Sequence, residues 1–161
     1  MRFETPNGAL RVSINPACIE HWQRHRQTRI WHRESGGLLF APSIGSQDGQ
    51  IHLAEVSGPH AADRRNRRSL VLDHACCLMD IAARFESGLH FVGYWHTHPE
   101  RNPKLSGIDQ RALRQNLLDG GLAISKMIAV VVGSDSSENS ICVCLVGPDL
   151  PVQLEQGRCV V

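Results

Sequence analysis

Apolar and polar residues alternate through ALRVSI, residues 9–14, which predicts a short strand, and Asn15-Pro16 then opens a helix with the proline in its first turn. That helix turns Ile19 and Trp22 inward and leaves Glu20, Gln23, Arg24 and Arg26 on a polar face. An apolar run behind two glycines, Gly36-Gly37-Leu38-Leu39-Phe40, and the strand IHLAEVSGP lie either side of the turn-rich GSQDGQ, so residues 37–57 are expected to form a hairpin. Asp73–Glu86 has apolar residues at 77, 78, 81, 82 and 85, the spacing of an amphipathic helix, with Asp73 as N-cap and Gly88 as its stop.

The next strand is HFVGYWHTH, whose strict alternation would put Phe91, Gly93, Trp95 and Thr97 on one face and Val92, Tyr94, His96 and His98 on the other. Pro99 stops it, and ERNPKL forms a loop. Ser106 and Asp109 then read as the N-cap and N3 residues of a helix running to about Leu118 and ending at Gly120-Gly121. MIAVVVG and SICVCLVG are strands around the polar loop SDSSENS, and the tail PVQLEQGRCVV is either an edge strand or a mobile terminus. The order β-α-β-β-α-β-α-β-β predicts an α/β fold in which two to three helices flank one mixed central sheet.

Composition narrows the possibilities. With 161 residues, 42% of them hydrophobic, the chain is expected to be one domain, 1–161, with a core that needs no disulfides. A formal net charge of +1 predicts no global attraction to nucleic acid or membrane. MRFETPNGAL lacks the apolar core of a signal peptide, and no run approaches the roughly 20 apolar residues of a membrane span, so a cytoplasmic protein is expected. The six cysteines form no C-x-x-C pair and read as reduced, mostly buried thiols without chemistry.

The candidate chemistry lies in Gly93–Asp109, GYWHTHPERNPKLSGID. Imidazoles at i and i+2 leave the same face of an extended strand and can converge on one metal ion. Asp109 can add an oxygen ligand from the following helix, completing three protein ligands with a fourth position open for water, which is the pattern of a hydrolytic zinc site. His21, His25 and His32 have no partner at ligand spacing and are expected to be surface or partly packed residues. Arg64, Arg65, Arg67 and Arg68 are either a solvated loop or a docking surface for an acidic partner, because guanidinium forks bind carboxylates bidentately. No aromatics are interleaved with them to stack on bases, so nucleic acid is not expected.

Taken together, Glu34 before Gly36-Gly37-Leu38-Leu39, the run FVGYWHTHP and Ser106-x-x-Asp109 resemble the JAMM (MPN-plus) zinc metallopeptidase family, over most of the chain from the first helix to Gly147. The resemblance implies one Zn²⁺ per chain, held by His96, His98 and Asp109. It implies that Glu34 holds the attacking water as general base and later protonates the leaving amine, and that Ser106 donates to the oxyanion. The fold implied is related in outline to cytidine deaminases, but that chemistry needs H-x-E together with P-C-x-x-C, and no P-C-x-x-C occurs in the sequence.

The wording YWHTHPE is most similar to small bacterial members of antiphage ubiquitin-like conjugation operons. By that resemblance the partner is a protein with an extended C-terminal tail, ubiquitin-like or a conjugated cGAS-like nucleotidyltransferase. Processing of a sulfur-carrier protein, and a non-catalytic module with a structural zinc, remain the alternatives. Nothing in the sequence speaks to the oligomeric state.

Overall fold

The computed structural model describes residues 1–43, 49–119, 124–148 and 151–156. The chain begins with β1 (Arg2–Glu4), β2 (Arg11–Ile14) and α1 (Pro16–His25), followed by β3 (Gly36–Ala41), β4 (Gln50–Leu53) and β5 (Glu55–Val56). A short hairpin of β6 (Arg64–Arg65) and β7 (Leu70–Val71) leads into α2 (His74–Glu86), β8 (His90–Thr97) and α3 (Gly107–Asp119). The chain closes with β9 (Met127–Val132), β10 (Ile141–Val146), β11 (Val152–Gln153) and β12 (Glu155–Gln156). Asn15 caps α1 by accepting from the amide of Ala17 at 3.0 Å, and Asp73 caps α2 by accepting from Cys76 at 2.9 Å.

The α/β class is as expected, but the strands divide between two principal sheets rather than one. The larger has the order β11-β10-β9-β8-β3-β5 and is mixed, with β8 parallel to β9 and antiparallel to β3. The smaller has the order β12-β1-β2-β4. The expected 37–57 hairpin is therefore only half right. β5 does pair with β3, but β4 runs parallel to β2, and the chain changes sheet at Ala54, whose amide still donates to Phe40 at 2.9 Å. Part of the connecting loop, residues 44–48, lies outside the described residues, as do Gly120-Gly121.

Each face of the large sheet carries its own core. Trp22 from α1 meets Leu39, Trp95, Val130 and Val143 on one face, whereas Leu105 and Leu113 from the α3 region meet Leu38, Phe40, Phe91 and Val131 on the other. α2 buries less than its spacing predicts. Cys77 and Ile81 lean on the second core, but Leu78 and Phe85 are exposed. Of the tail, β11 extends the large sheet and β12 the small one.

The alternation expected along β8 fails at one place. The register with β3 slips between Leu39 and Phe40, opposite Gly93 and Phe91, so Val92 is a bulged residue. Val92 therefore joins Trp95 in the first core, and Phe91 sits 5.1 Å from Tyr94 on the other face. Gly93 permits this, because its φ of 154° disfavours side chains and a Cβ there would lie 1.8 Å from the carbonyl oxygen of Ile128. Gly93→Ala is expected to cost at least about 3 kcal/mol, or roughly 6–12 °C in melting temperature for a chain of this size. An unchanged thermal melt would contradict this backbone contact.

Candidate active site

The site forms where β8 runs out beside the start of β3. Gly36 pairs with His96, and one step further the amide of Thr97 donates to Ser35 O at 2.8 Å while Ser35 N donates to Thr97 Oγ1 at 2.9 Å. This register carries Glu34 alongside the two histidines across a sequence gap of 62 residues. The donor atoms of Glu34, His96 and His98 all lie within 4.8 Å of one another. The amide of His98 continues the ladder to Val132 O at 2.8 Å, so the backbone under both imidazoles is fixed.

The N-terminus of α3 supplies the fourth group. Ser106 Oγ accepts from the Asp109 amide at 3.2 Å, and Asp109 Oδ2 accepts from the Ser106 amide at 2.9 Å and from its hydroxyl at 2.5 Å. The pair is the reciprocal cap that the spacing predicts. The same Oδ2 lies 3.5 Å from His96 Nε2 and 3.6 Å from His98 Nε2, and the two imidazole nitrogens are 3.1 Å apart. Three donors bound tetrahedrally at about 2.05 Å would be separated by about 3.3 Å, so this triangle fits one zinc ion without rearrangement. His98 is also oriented through its other nitrogen, with Nδ1 lying 3.5 Å from Glu100 Oε2.

Charge states suit the same purpose. Burial pushes the His98 imidazole down, and neighbouring His96 adds to this, which favours the neutral form a metal requires. Burial would raise the Asp109 carboxyl, but hydrogen bonds to His96 and Ser106 outweigh it and hold the group well below the usual carboxylate range. Glu34, only 5% exposed, is pushed up to about 7 by burial, with Asp109 and Glu100 adding to the rise and His96 opposing it. A carboxyl near neutrality can both take and return a proton at physiological pH.

Glu34 also costs stability. Its pKa is raised in the fold from 4.5 to about 7, so the stability that its protonated form contributes is full below about 4.5 and is lost as pH rises through about 7. In metal-stripped protein, Glu34→Gln is therefore expected to raise the melting temperature by several degrees near pH 8, on the order of 3 kcal/mol at most, and by almost nothing near pH 4. Equal melting of both proteins at the two pH values would contradict it.

Two features near the site escape a reading by motif. Arg65 donates through Nε to Glu34 O at 2.6 Å and through Nη2 to Ser35 Oγ, clamping the backbone that carries Glu34. Gln27, 2% exposed, joins Arg67 O at 2.8 Å to Thr97 Oγ1 at 3.2 Å, which ties the loop after α1 to the residue between the histidines. The arginine cluster is the signal that could have pointed to the clamp, but the partners it finds are set by tertiary contact. His21 meets Trp95 edge-on at 5.5 Å and His25 lies tilted against it at 6.2 Å, so both are partly packed, as expected. Cys142 and Cys144 are buried with sulfurs 3.7 Å apart in the second core.

A model described as prokaryotic homologs of the JAB domain matches residues 18–143. A protein from Escherichia coli (strain TW11681) named CD-NTase/cGAS isopeptidase is 34% identical over 126 residues, 76% of each chain. A protein of the same name from Pseudomonas aeruginosa (strain BWHPSA011 / Pa011) is 32% identical over 103 residues, covering 62% of this chain and 63% of that one. One from Vibrio cholerae serotype O1 is 30% identical over 116 residues, 68% of this chain and 67% of that one. Among solved structures, the solution structure of protein DSY2949 from Desulfitobacterium hafniense superposes with a TM-score of 0.64 at 16% identity, covering 89% of this chain and 90% of that one, which shows a shared fold.

Proposed function

The chain belongs to the prokaryotic homologues of the JAB domain, and on that premise we propose that it is a zinc-dependent isopeptidase that hydrolyses the amide bond following the C-terminus of a conjugated protein. The names of its relatives favour a cGAS-like nucleotidyltransferase as that protein, and the resemblance of the YWHTHPE run favours deconjugation in antiphage defence as the setting. The observation that carries the reading is the triangle of His96 Nε2, His98 Nε2 and Asp109 Oδ2, with edges of 3.1 to 3.6 Å and a buried carboxyl beside it.

His96, His98 and Asp109 would hold the zinc, which supplies Lewis acidity and makes a water nucleophilic at neutral pH. Glu34 takes the proton from the attacking water and delivers it to the leaving lysine amine, the two transfers that an amide needs. Its carbonyl is held by Arg65 and its amide by Asn66 O at 2.7 Å, so the carboxyl is aimed by a fixed backbone. The Ser106 hydroxyl has one proton, which it gives to Asp109 Oδ2 here. To donate to the oxyanion it must turn away from that carboxylate and leave the cap to the Ser106 amide.

Ser106→Ala is expected to lower kcat about 100-fold, the usual worth of one oxyanion donor, while the zinc content stays unchanged. The lost cap should also lower stability by about 1 kcal/mol. A variant with full kcat would return Ser106 to capping alone. The reading as a whole is tested by intact-mass analysis of a protein conjugate whose C-terminal carboxyl is joined to a lysine side chain. Release of both components with a free C-terminus and a free lysine, suppressed by a chelator, is expected. An intact conjugate after prolonged incubation with zinc-loaded protein would overturn the reading.

A further inference from the structure

Glu34 and Ser35 are successive residues leading directly into β3, yet their side chains serve different places. Glu34 joins the histidine cluster, while Ser35 lines a separate cavity of about 350 Å³ together with Arg24, His25, Trp31, Arg33 and Arg65. No acidic residue lines this cavity. Among the described residues, no carboxylate lies within 4.0 Å of a guanidinium nitrogen of Arg24, Arg33 or Arg65. Arg65 is half-buried and its two hydrogen bonds go to neutral acceptors, Glu34 O and Ser35 Oγ. A guanidinium has five donors, and no further hydrogen bond of the Arg65 fork is seen among the described residues.

Asp63 acts on Arg65 only from beyond ion-pair distance, so the three guanidinium groups still repel one another, and an anion placed among them is favoured. We propose that this cavity binds an acidic side chain of the substrate polypeptide, a few residues from the scissile amide. The proposal rests on the deconjugase reading and names a feature of the substrate that reading leaves open. A peptide carboxylate suits the site better than a free anion, because the wall of the cavity and the catalytic carboxylate are adjacent residues of one chain. An extended substrate passing the end of β3 at about 3.3 Å per residue reaches both within a few residues. Arg65 links the two places physically, since one guanidinium holds the Glu34 carbonyl and faces the cavity. Planar guanidinium forks match a carboxylate bidentately, and exposed Trp31 offers an apolar wall for the side-chain stem.

The test uses the full chain and short fluorescein-labelled peptides with no cleavable isopeptide bond, followed by fluorescence polarisation. One carries Glu-Asp-Glu, one Gln-Asn-Gln, and one a single phosphoserine. The acidic peptide is expected to bind at least about tenfold more tightly than the neutral one, a difference of about 1.4 kcal/mol, and to weaken at high salt. Arg24→Glu/Arg33→Glu should abolish that preference, and Arg24→Ala/Arg33→Ala replaces it should charge reversal prevent folding. An unchanged preference in the variants overturns the proposal, as does binding of the phosphopeptide alone, which would assign the cavity to phosphate.

A second arm repeats the comparison with isopeptide-linked versions and reads kcat/KM. Selective binding of the acidic peptide with no cleavage of either conjugate would sink the deconjugase reading and keep the acidic subsite. Equal binding and equal cleavage of both would sink the subsite and keep the deconjugase.

Discussion

Glu34→Gln is expected to lower kcat for conjugate hydrolysis by about 10³-fold or more, with little change in zinc content. The magnitude follows from the two proton transfers assigned to one carboxyl, each commonly worth about 10²- to 10⁴-fold. Glutamine keeps the size of the side chain and its backbone clamp, the Arg65 and Asn66 hydrogen bonds, but cannot accept and return a proton. The substitution therefore separates chemistry from fold. It should also stabilise the metal-stripped protein near pH 8, because the wild-type carboxylate is charged there in a site that burial disfavours. A gain in stability together with a loss of activity is the signature of a strained catalytic group. Unchanged kcat would remove Glu34 from the mechanism.

Asp109→Ala is expected to lose both metal and activity. Its Oδ2 forms two edges of the donor triangle, at 3.5 and 3.6 Å, and its cap to Ser106 holds α3 against the site. Without it, two imidazoles remain, fewer than the three protein ligands of an open zinc site. Zinc retained after gel filtration, measured by elemental analysis, should fall from about one per chain to near zero. Asp109→Asn separates the two roles, since an amide oxygen can still accept from the Ser106 amide but brings no negative charge. It should hold α3 and still bind zinc weakly. Full zinc occupancy in Asp109→Ala would contradict the ligand set.

How much of this was open to reading in the sequence depends on the range of the interactions. His96 and His98 are two apart at the end of one strand, and Ser106 and Asp109 form a cap between residues three apart, so both are legible from local periodicity. The proximity of Glu34 to them rests on the pairing of Gly36 with His96, a tertiary register that spacing alone leaves open. The bulge at Val92 was not legible, because strict alternation is the default for a strand and only the carbonyl of Ile128 pressing on Gly93 makes the exception. The change of sheet at Ala54 is hidden from local pattern for a similar reason. IHLAEVSGP is a continuous apolar-polar pattern, and its division between β2 and β3 is decided by which neighbours have free edges. Leu78 and Phe85 have helical spacing yet stay exposed, because α2 lies on the sheet through a narrower stripe of Cys77 and Ile81.

The arginines after β5 show the middle ground. Composition marked Arg64 to Arg68 as either solvent-facing or docking, and the structure divides them. Arg65 turns inward to brace Glu34 and Ser35, while Arg67 donates to Ile30 O and ties this segment to the loop after α1. A guanidinium with its long apolar stem can do this where a shorter cation cannot.

The most direct measurement is a zinc titration of metal-stripped protein with conjugate hydrolysis as the readout. Activity should be negligible at the start, rise linearly and level off at about one equivalent of zinc per chain. Full hydrolysis by the stripped protein, or none at any zinc concentration, would contradict the account.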